Sequence, residues 1–482
     1  MATRRGSARL SSAAAQRRVW FFALLTGFTM ATLIRLRGPV DIDTWLHLRI
    51  GEELRGGTSF GVVPDPLVVL ADIPYVPTQW LSQMIFSMVH DAAGLRGVLA
   101  LRLGALMLLM AVVWTATRLG GGPVVAAGAT FVALVASSAA WAERPQIFGL
   151  ALHGVVVLVW VRARRNDRVP WLVVPLLWLW ACLHGTWVLG LVTGVVFTAL
   201  KLVEPRNSKR PVRSLLGLNA LSVIAIALTP LGPRLLIEPI HVGELATAAV
   251  PEWQPSQVSN PLMLLVVGMA LVVLWRATRE RQNGWADALL AAAAVVLALY
   301  TVRTIAFGAV LVAPAFAHAL THASRRGDKC CWREESTPWL VAAGLLAVFP
   351  GAVVGFPMQP PVGQAISTQL EAVPSGSTVA VDLSVSGWFL YAHPELKPLR
   401  DVRVEIYSPG VVADFDSFQN AGPEWEDYGA AHDVRAFLLA KGSLLSQALH
   451  ESGRWRAAAI QHDYALWLPV EVARAALPPG GG

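Results

Sequence analysis

Residues 97–117 read GVLALRLGALMLLMAVVWTAT, and Arg102 is the only charged residue in this stretch. A helix of about 20 apolar residues is long enough to cross the hydrocarbon core of a bilayer. A soluble protein rarely contains so long an apolar run, because much of a soluble helix faces water. The stretch therefore predicts a transmembrane helix.

The same pattern recurs along the chain. Further apolar runs lie at about 19–36, 122–141, 146–162, 170–184, 186–203, 213–230, 261–276, 285–302, 304–320 and 337–355. Only 15% of the residues are charged and 55% are hydrophobic, whereas a soluble domain carries about 25% charge. The mean hydropathy is +0.52. These features predict a polytopic α-helical membrane protein with about eleven transmembrane helices.

The net charge of +7 does not indicate a nucleic-acid partner, because the basic residues form short clusters between the apolar runs. Such clusters mark cytoplasmic loops and so set membrane topology. They occur at 4–18, 162–168, 201–213, 276–281 and 325–333, in alternating loops, while the loop after the second apolar run has only Arg118. This alternation predicts a multi-pass inner-membrane protein with a cytoplasmic N-terminus and an extracytoplasmic C-terminus.

Three regions follow from this topology. Residues 1–18 form a basic cytoplasmic N-terminus, and residues 19–356 form the transmembrane domain, which includes a long outer loop at 37–96. Residues 362–482 follow a proline-rich break and are predicted to form a small extracytoplasmic α/β domain. Its predicted elements are strands at 377–383, 402–407 and 435–439, an amphipathic helix at 443–452 and a hairpin at 455–469.

The outer loop opens with acidic residues close to the membrane. Asp41, Asp43 and His47 lie within seven residues, and segment 44–55 has helical character, which places Asp43 and His47 on one helix face. One interpretation is that Asp43 caps this helix. The other is that Asp41 lies outside the helix and acts as a general base, with Asp43 assisting or binding a cation. The candidate catalytic residues are therefore Asp41, Asp43 and His47.

Other polar residues are predicted on the same side of the membrane. An arginine side chain binds phosphate well because its planar guanidinium group can donate two hydrogen bonds at once. Snorkelling to lipid headgroups or pairing with Glu143, Glu238 or Glu252 is the alternative for each arginine, and His184 could form an interhelical hydrogen bond. Their convergence on one leaflet favours a shared substrate-binding or phosphate-binding site, whose candidate residues are Arg144, Gln146, His184, Arg234, Glu252 and Arg303.

Several short motifs together resemble the C-type (GT-C) integral-membrane glycosyltransferases, and in particular a group of uncharacterised bacterial GT-C-like proteins. They are DIDTWLHLRIGE at 41–52, PDP at 64–66, QWLS at 79–82, RPQ at 144–146, HG at 184–185 and EW at 252–253. The α/β tail extends the resemblance over nearly the whole chain. One departure is Trp45-Leu46, where that group has a pair of tryptophans before the histidine.

The resemblance implies a location in the bacterial inner membrane and the transfer of a hexosyl or pentosyl group at its outer face. The donor would be a polyprenyl-phosphate-linked sugar, and the acceptor a glycan, lipid or protein. The family's base at the start of the first outer loop carries over onto Asp41 or Asp43. Some members use a divalent metal, so Mg²⁺ or Mn²⁺ is left open, with Asp43 as the ligand if a metal binds.

Two other functions remain open from the sequence. One is transport or flipping of a lipid-linked saccharide, and the other is a non-catalytic envelope scaffold whose tail binds a partner. Transporters usually place ionisable residues near the bilayer midplane. The cores of the predicted spans are almost free of charge, which disfavours ion-coupled transport.

Overall fold

The computed structural model describes residues 41–203, 211–279, 284–321 and 360–472. The chain divides into two compact units. The described part of the first, called the helical unit, is 93–321. The second, called the loop–tail unit, combines 41–92 with 360–472.

Helices dominate the described part of the chain up to residue 321. In chain order they are α1 (Ile42–Gly56), α2 (Trp80–Gly120), α3 (Pro123–Ala136), α4 (Gln146–Arg165), α5 (Val173–Leu183), α6 (Trp187–Val203), α7 (Val212–Ala227), α8 (Arg234–Ala249), α9 (Pro261–Ala277), α10 (Gly284–Tyr300) and α11 (Ile305–Thr321). Short 3-10 turns at Ser138–Ala140, Pro251–Trp253 and Val302–Thr304 connect some of them. α2 is interrupted at Gly94 (φ 62°, ψ −162°), next to the boundary between the two units.

Within the helical unit, α9, α10 and α11 pack against one another, and α11 also packs on α3 and α4. α11 is buried over nearly its whole circumference, from Ile305 to Ala319. A helix that is apolar on all sides must lie inside a bundle or a membrane. α11 is therefore the central helix of this packing.

Every predicted apolar run that falls within the described residues coincides with a helix; runs 19–36 and 337–355 lie outside them. Among the helices of the described ranges, three are long and apolar enough to cross a membrane: Trp80–Gly120, Gln146–Arg165 and Val302–Thr321. The other apolar helices of this unit have 10–17 residues. The apolar helical character is thus confirmed, while the number of eleven spans stays a prediction. The helix α8 was not predicted.

The tail forms one five-stranded sheet with helices around it. Its elements are α12 (Gln364–Leu370), β1 (Thr378–Val381), α13 (Leu383–Ala392), β2 (Lys397–Pro398), α14 (Pro409–Gln419), α15 (Trp425–Ala431), β3 (Val434–Ala440), α16 (Leu444–Ser452), β4 (Trp455–Gln461) and β5 (Tyr464–Pro469). The strand order is β2-β1-β3-β5-β4. β2, β1 and β3 are parallel, while β5 is antiparallel to both β3 and β4. The predicted small α/β fold is confirmed.

The predicted strand at 402–407 is wrong. Val404–Ile406 form a 3-10 turn, because neighbouring groups take this segment away from the sheet. The backbone oxygen of Ile406 accepts hydrogen bonds from the backbone N–H groups of Asp72 and Ile73, both at 3.1 Å. The other predicted tail elements are present as β1, β3, α16 and the β4–β5 hairpin.

Most of the long outer loop packs with the tail. Leu46, Ile50, Leu67, Val68 and Tyr75 share one apolar core with residues of the sheet and its helices, among them Leu399, Phe415, Phe437 and Trp467. The backbone N–H groups of Val69 and Leu70 donate to the backbone oxygens of Pro398 and Leu399, at 3.2 and 3.0 Å. The loop assigned to the transmembrane domain from the sequence thus belongs to the same compact unit as the tail.

Candidate functional site

The acidic start of α1 is an N-terminal cap. The side chain of Asp41 accepts a hydrogen bond from the backbone N–H of Asp43 at 3.0 Å. The capping residue is therefore Asp41 and not Asp43, because the helix starts at Ile42, two residues earlier than predicted. Asp43 lies in the first turn, where a negative charge is favourable beside the helix dipole. The helix ends at the Gly56-Gly57 pair, just after the predicted segment 44–55, with φ at 84° for Gly57.

His47 is buried within the loop–tail unit. Its Nδ1 lies 3.3 Å from Nε2 of Gln83, and the same Nε2 donates to the hydroxyl of Tyr75 at 3.2 Å. Burial raises the pKa of the Tyr75 phenol, and the charge on Glu405 acts in the same direction. Tyr75 therefore stays a neutral hydrogen-bonding group at physiological pH.

α1 is held against α13 of the tail. At Gly387 a Cβ atom would lie 2.6 Å from the backbone oxygen of Ile42 and 3.2 Å from the nitrogen of Leu46. Only glycine allows this close approach. Next to it the rings of Trp45 and Tyr391 lie 5.3 Å apart. The tail thus fixes the helix whose first turn carries Asp43.

The helical unit brings four of the predicted residues together: Arg144, Gln146, Glu252 and Arg303, called the arginine cluster below. Nη1 of Arg144 lies 3.4 Å from both carboxylate oxygens of Glu252. Nε of Arg303 donates to Oε1 of Gln146 at 3.0 Å, and its Nη2 lies 3.8 Å from Oε2 of Glu252. The Arg144–Glu252 and Arg303–Gln146 contacts join residues 108 and 157 positions apart in the chain.

Local structure explains how the cluster is held. Gln146 begins α4, and Arg144 lies in the turn just before it. Glu252 lies on the 3-10 turn Pro251–Trp253. Arg303 lies on the turn Val302–Thr304, which a reciprocal capping box between Thr301 and Thr304 fixes. The two 3-10 turns pack against each other.

The cluster is partly buried and carries a net positive charge. The side chains of Arg144 and Arg303 are 20% and 19% exposed, and that of Glu252 is 45% exposed. Two guanidinium groups face one carboxylate, so the three charges sum to +1. The guanidinium of Arg303 also lies over the ring of Trp253, 5.2 Å from its centre. Such stacking restrains the plane of the guanidinium group, whose N–H groups point outward from the edge of that plane.

The other two predicted residues have different surroundings. Nδ1 of His184 lies 2.9 Å from Oγ1 of Thr186 and accepts from the backbone N–H of Thr186 at 3.0 Å, which shapes the turn between α5 and α6. Arg234 is exposed at the start of α8. Burial raises the pKa of Glu238, one turn further along, against the charges of His241 and Arg234. The structure does not join either residue to the arginine cluster through any described contact.

Sequence reasoning missed Arg102. It is buried in α2 and forms an ion pair with Glu143, the residue before Arg144. From the sequence, Glu143 and Glu252 were both candidate partners for the outer arginines; the structure pairs Glu143 with Arg102 and Glu252 with Arg144. The signal was available, because Arg102 is the single charge in an otherwise apolar run, and buried charges are normally paired.

A cavity of about 590 Å³ adjoins the two 3-10 turns. Two of its wall residues, Pro251 and Gln254, flank Glu252 and Trp253 in the chain, and a third, Val302, precedes Arg303. The remaining wall is formed by Pro255, Gln257, Ser259, Asn260, Pro261 and Leu262. An open space of this size is within the range of about 300–1,000 Å³ that small-molecule sites occupy.

No group of three or more His, Cys, Asp or Glu side chains that could hold a metal ion occurs within the described ranges. Asp41 and Asp43 together provide two carboxylates in the described part of the chain, whereas a divalent ion usually takes more oxygen ligands than that. A metal bound through Asp43 stays a prediction.

Known structures share this fold. AglB, an archaeal oligosaccharyltransferase from Archaeoglobus fulgidus in complex with an inhibitory peptide and a dolichol-phosphate, aligns with a TM-score of 0.56 at 14% identity, over 88% of this chain and 69% of its own. ArnT from Cupriavidus metallidurans in the apo state aligns with a TM-score of 0.52 at 14% identity, over 97% and 100%. The same ArnT bound to undecaprenyl phosphate gives 0.50 at 15% identity, over 96% and 98%.

No protein-family model and no curated protein matches the sequence. At 14–15% identity the structural neighbours establish the fold. They are glycosyltransferases of the GT-C superfamily, so the resemblance expected from the motifs is confirmed at this level. The chain therefore shares the fold of these GT-C neighbours.

Proposed function

We propose that the protein transfers a sugar from a polyprenyl-phosphate-linked donor to an acceptor at the outer face of the bacterial inner membrane. The observation that carries the proposal is the arginine cluster. Residues chosen from the sequence as phosphate ligands, and distant in the chain, meet at one point of the helical unit. A phosphate site built from two arginines suits this donor better than it suits a neutral ligand.

The charge balance of the reaction explains why arginines would help. The donor is a phosphodiester with one negative charge. When the bond between the anomeric carbon and the phosphate oxygen breaks, the electron pair stays on that oxygen, and the leaving polyprenyl phosphate gains a second negative charge. Guanidinium groups therefore bind the departing phosphate more strongly than the donor, which is the differential binding that lowers a barrier.

Glu252 would keep the two guanidinium groups apart from bulk solvent and in a defined orientation. It contacts both arginines, so it offsets their mutual repulsion in the absence of a ligand. This arrangement is a preformed site rather than one assembled by the donor.

Bound ligands of the structural neighbours support the choice of donor class. The AglB structure contains a dolichol-phosphate, and one ArnT structure contains undecaprenyl phosphate. Both ligands are polyprenyl-type lipid phosphates, the class proposed here. The sugar is a hexose or pentose, and the acceptor is a glycan, a lipid or a protein.

The proposed base is Asp41, with Asp43 assisting or binding a divalent ion such as Mg²⁺ or Mn²⁺. A carboxylate would accept the proton of the acceptor hydroxyl as that oxygen attacks the anomeric carbon. His47 is proposed to support α1 through its contact with Gln83. His184 and Arg234 remain candidate contacts to substrate.

The topology proposed from the basic clusters has structural support. A compact unit cannot be divided by a bilayer, so the described parts of the first loop and the tail lie on the same side of a membrane. An even number of spans between them satisfies this condition. Ten apolar runs are predicted between residues 97 and 355, which is an even number. The proposed topology has the N-terminus in the cytoplasm and the tail outside.

The test is donor consumption by the full-length protein in lipid nanodiscs. Purified protein is mixed with a total lipid extract of bacterial membranes, and mass spectrometry follows the loss of polyprenyl-phosphoryl sugars and the appearance of free polyprenyl phosphate. We expect turnover by the wild type and a loss of about 100-fold or more for Arg144→Gln or Arg303→Gln, typical of removing one group that binds developing charge.

Arg279→Gln is the matched control. Arg279 also lies over a tryptophan ring, 4.1 Å from the centre of Trp275, but it follows α9 and is outside the arginine cluster. This variant should keep wild-type turnover. Equal activity of the Arg303→Gln and Arg279→Gln proteins would contradict the proposal. Movement of an intact lipid-linked sugar across sealed vesicles, without its consumption, would establish a transporter instead.

A further inference from the structure

The cavity beside the two 3-10 turns has no role in the mechanism above. Its wall is fixed to the segment that carries Arg303. The backbone N–H of Val302 donates to the oxygen of Gln254 at 3.2 Å, and that of Ser256 donates to the oxygen of Leu299 at 3.3 Å. Val302 lines the cavity and directly precedes Arg303, so the cavity wall and the arginine cluster share one 3-10 turn.

The chemistry of the wall is polar but uncharged. Four side chains carry amide or hydroxyl groups: Gln254, Gln257, Ser259 and Asn260. None of the described residues that line the cavity is charged. Amides and hydroxyls both donate and accept hydrogen bonds, as sugar hydroxyls do. A carboxylate or an ammonium group on the ligand would find no opposite charge in this wall.

Apolar surface completes the wall. Pro251, Pro255 and Pro261 present rigid rings, and Leu262 and Val302 add aliphatic groups. A sugar ring has C–H faces that pack on such surfaces and a rim of hydroxyl groups that needs hydrogen-bond partners. A few polar groups within a mostly apolar wall are the usual composition of a small-molecule site.

We infer that this cavity is the subsite for the donor sugar and that it accepts an uncharged hexose or pentose. The inference rests on the proposed function, since it needs the donor phosphate at the arginine cluster. It goes further by excluding uronic acids and amino sugars as the preferred transferred group. The affinity gained from the sugar is then separable from the affinity gained from the phosphate.

The experiment measures binding to full-length protein in nanodiscs, with three probes. They are undecaprenyl phosphate, undecaprenyl-phosphoryl glucose and undecaprenyl-phosphoryl arabinose. We expect the wild type to bind at least one sugar-bearing probe about tenfold more tightly than undecaprenyl phosphate, as one or two net hydrogen bonds would provide.

Two exposed wall positions allow the subsite to be blocked without disturbing the fold. Ser259→Trp fills the cavity with an indole, and Gln257→Leu removes an amide while keeping the size of the side chain. Both should abolish the preference for the sugar-bearing probe and leave the affinity for undecaprenyl phosphate within about twofold. Thr278→Trp, at an exposed position after α9, is the control for adding an indole and should change neither affinity.

The outcomes separate the two proposals. If Arg303→Gln weakens all probes and the cavity variants change none, the phosphate site stands and the sugar subsite is wrong. If the wild type binds all three probes equally, the subsite is also wrong. If Arg303→Gln has no effect on undecaprenyl phosphate, the proposed phosphate site fails, whatever the cavity variants do.

Discussion

Asp65 and Arg403, 338 positions apart in the sequence, form a buried two-point ion pair. Nη1 and Nη2 of Arg403 lie 3.1 and 3.0 Å from Oδ2 and Oδ1 of Asp65, and the two side chains are 3% and 1% exposed. Nε of the same arginine donates to Asp401 at 2.7 Å. Burial alone would lower the pKa of Arg403, but Asp401 and Asp65 outweigh it and raise that pKa. The pair joins the first loop to the tail.

Arg403→Met should destabilise the loop–tail unit by about 3–5 kcal/mol, because it leaves two buried carboxylates without their cation. The measurement is the rate of trypsin cleavage in the unit together with the midpoint of thermal unfolding. Arg435→Met is the matched control. Arg435 pairs with Asp433 on the surface, where the two side chains are 61% and 73% exposed, and such a pair contributes about 1 kcal/mol or less.

Removing both partners of the buried pair provides a second check. Asp65→Leu combined with Arg403→Met should cost less than the sum of the two single changes, because the double variant leaves fewer charges unpaired. Strictly additive effects would mean that the two residues act independently, against the geometry observed.

Asp41→Asn should abolish sugar transfer while leaving the protein as stable as the wild type. Asparagine caps a helix about as well as aspartate, so the hydrogen bond to the N–H of Asp43 can be kept while the charge is lost. Asp41→Ala should lose the same activity and in addition about 1 kcal/mol of stability. Donor consumption and thermal unfolding are measured for both. Retained transfer by Asp41→Asn would remove Asp41 from the mechanism.

Gly387→Ala should reduce both stability and transfer. Its Cβ would approach the backbone oxygen of Ile42 to 2.6 Å, and a backbone atom cannot move aside as a side chain can. Overpacking of this kind costs about 1–3 kcal/mol, which exceeds the gain of about 1 kcal/mol that alanine brings inside a helix. Gly442→Ala, where a Cβ meets nothing within 4 Å, should leave thermal unfolding and transfer unchanged.

The stability of the loop–tail unit should fall above about pH 10. The pKa of Tyr75 is raised in the folded state, so its proton is lost from the unfolded chain first. The contribution of the Tyr75 hydroxyl to the free energy of unfolding is fully present below the pKa that this group has in the unfolded chain, and it declines as the pH rises above that pKa. Tyr75→Phe should show a weaker decline between about pH 9 and pH 11 than the wild type. Equal slopes of the unfolding midpoint against pH would contradict this.

The fold was predictable from the sequence where one physical requirement dominated. Apolar runs such as 97–117 must avoid water, and each run within the described residues became a helix. The helical segment predicted at 44–55 is part of α1, which ends where Gly57 adopts a left-handed conformation. The strand at 402–407 was not predictable, because Asp401 and Arg403 are drawn into a charge cluster by Asp65, which lies far away in the chain.

The arginine cluster was predictable from the sequence only in part. Arg144 and Arg303 stood out because arginine is unexpected in outer loops. Their partners could not be assigned, since Glu143 and Glu252 were equally available in the sequence. The pairing depends on which turns meet in three dimensions, where Glu143 pairs with Arg102 and Glu252 with Arg144.

The shared core of the loop–tail unit also determines how late in synthesis this unit can finish folding. Leu46, Ile50 and Tyr75 are synthesised early, but their core is completed by residues as late as Trp467. At about 5–20 residues per second, translation of the chain between them takes roughly 20–80 s. During this interval the apolar face of the first loop waits for its partner while the spans between are inserted. The loop–tail unit can therefore complete its core only after β5 has been synthesised, and a chain that stalls before β5 leaves the apolar residues of the first loop without these partners.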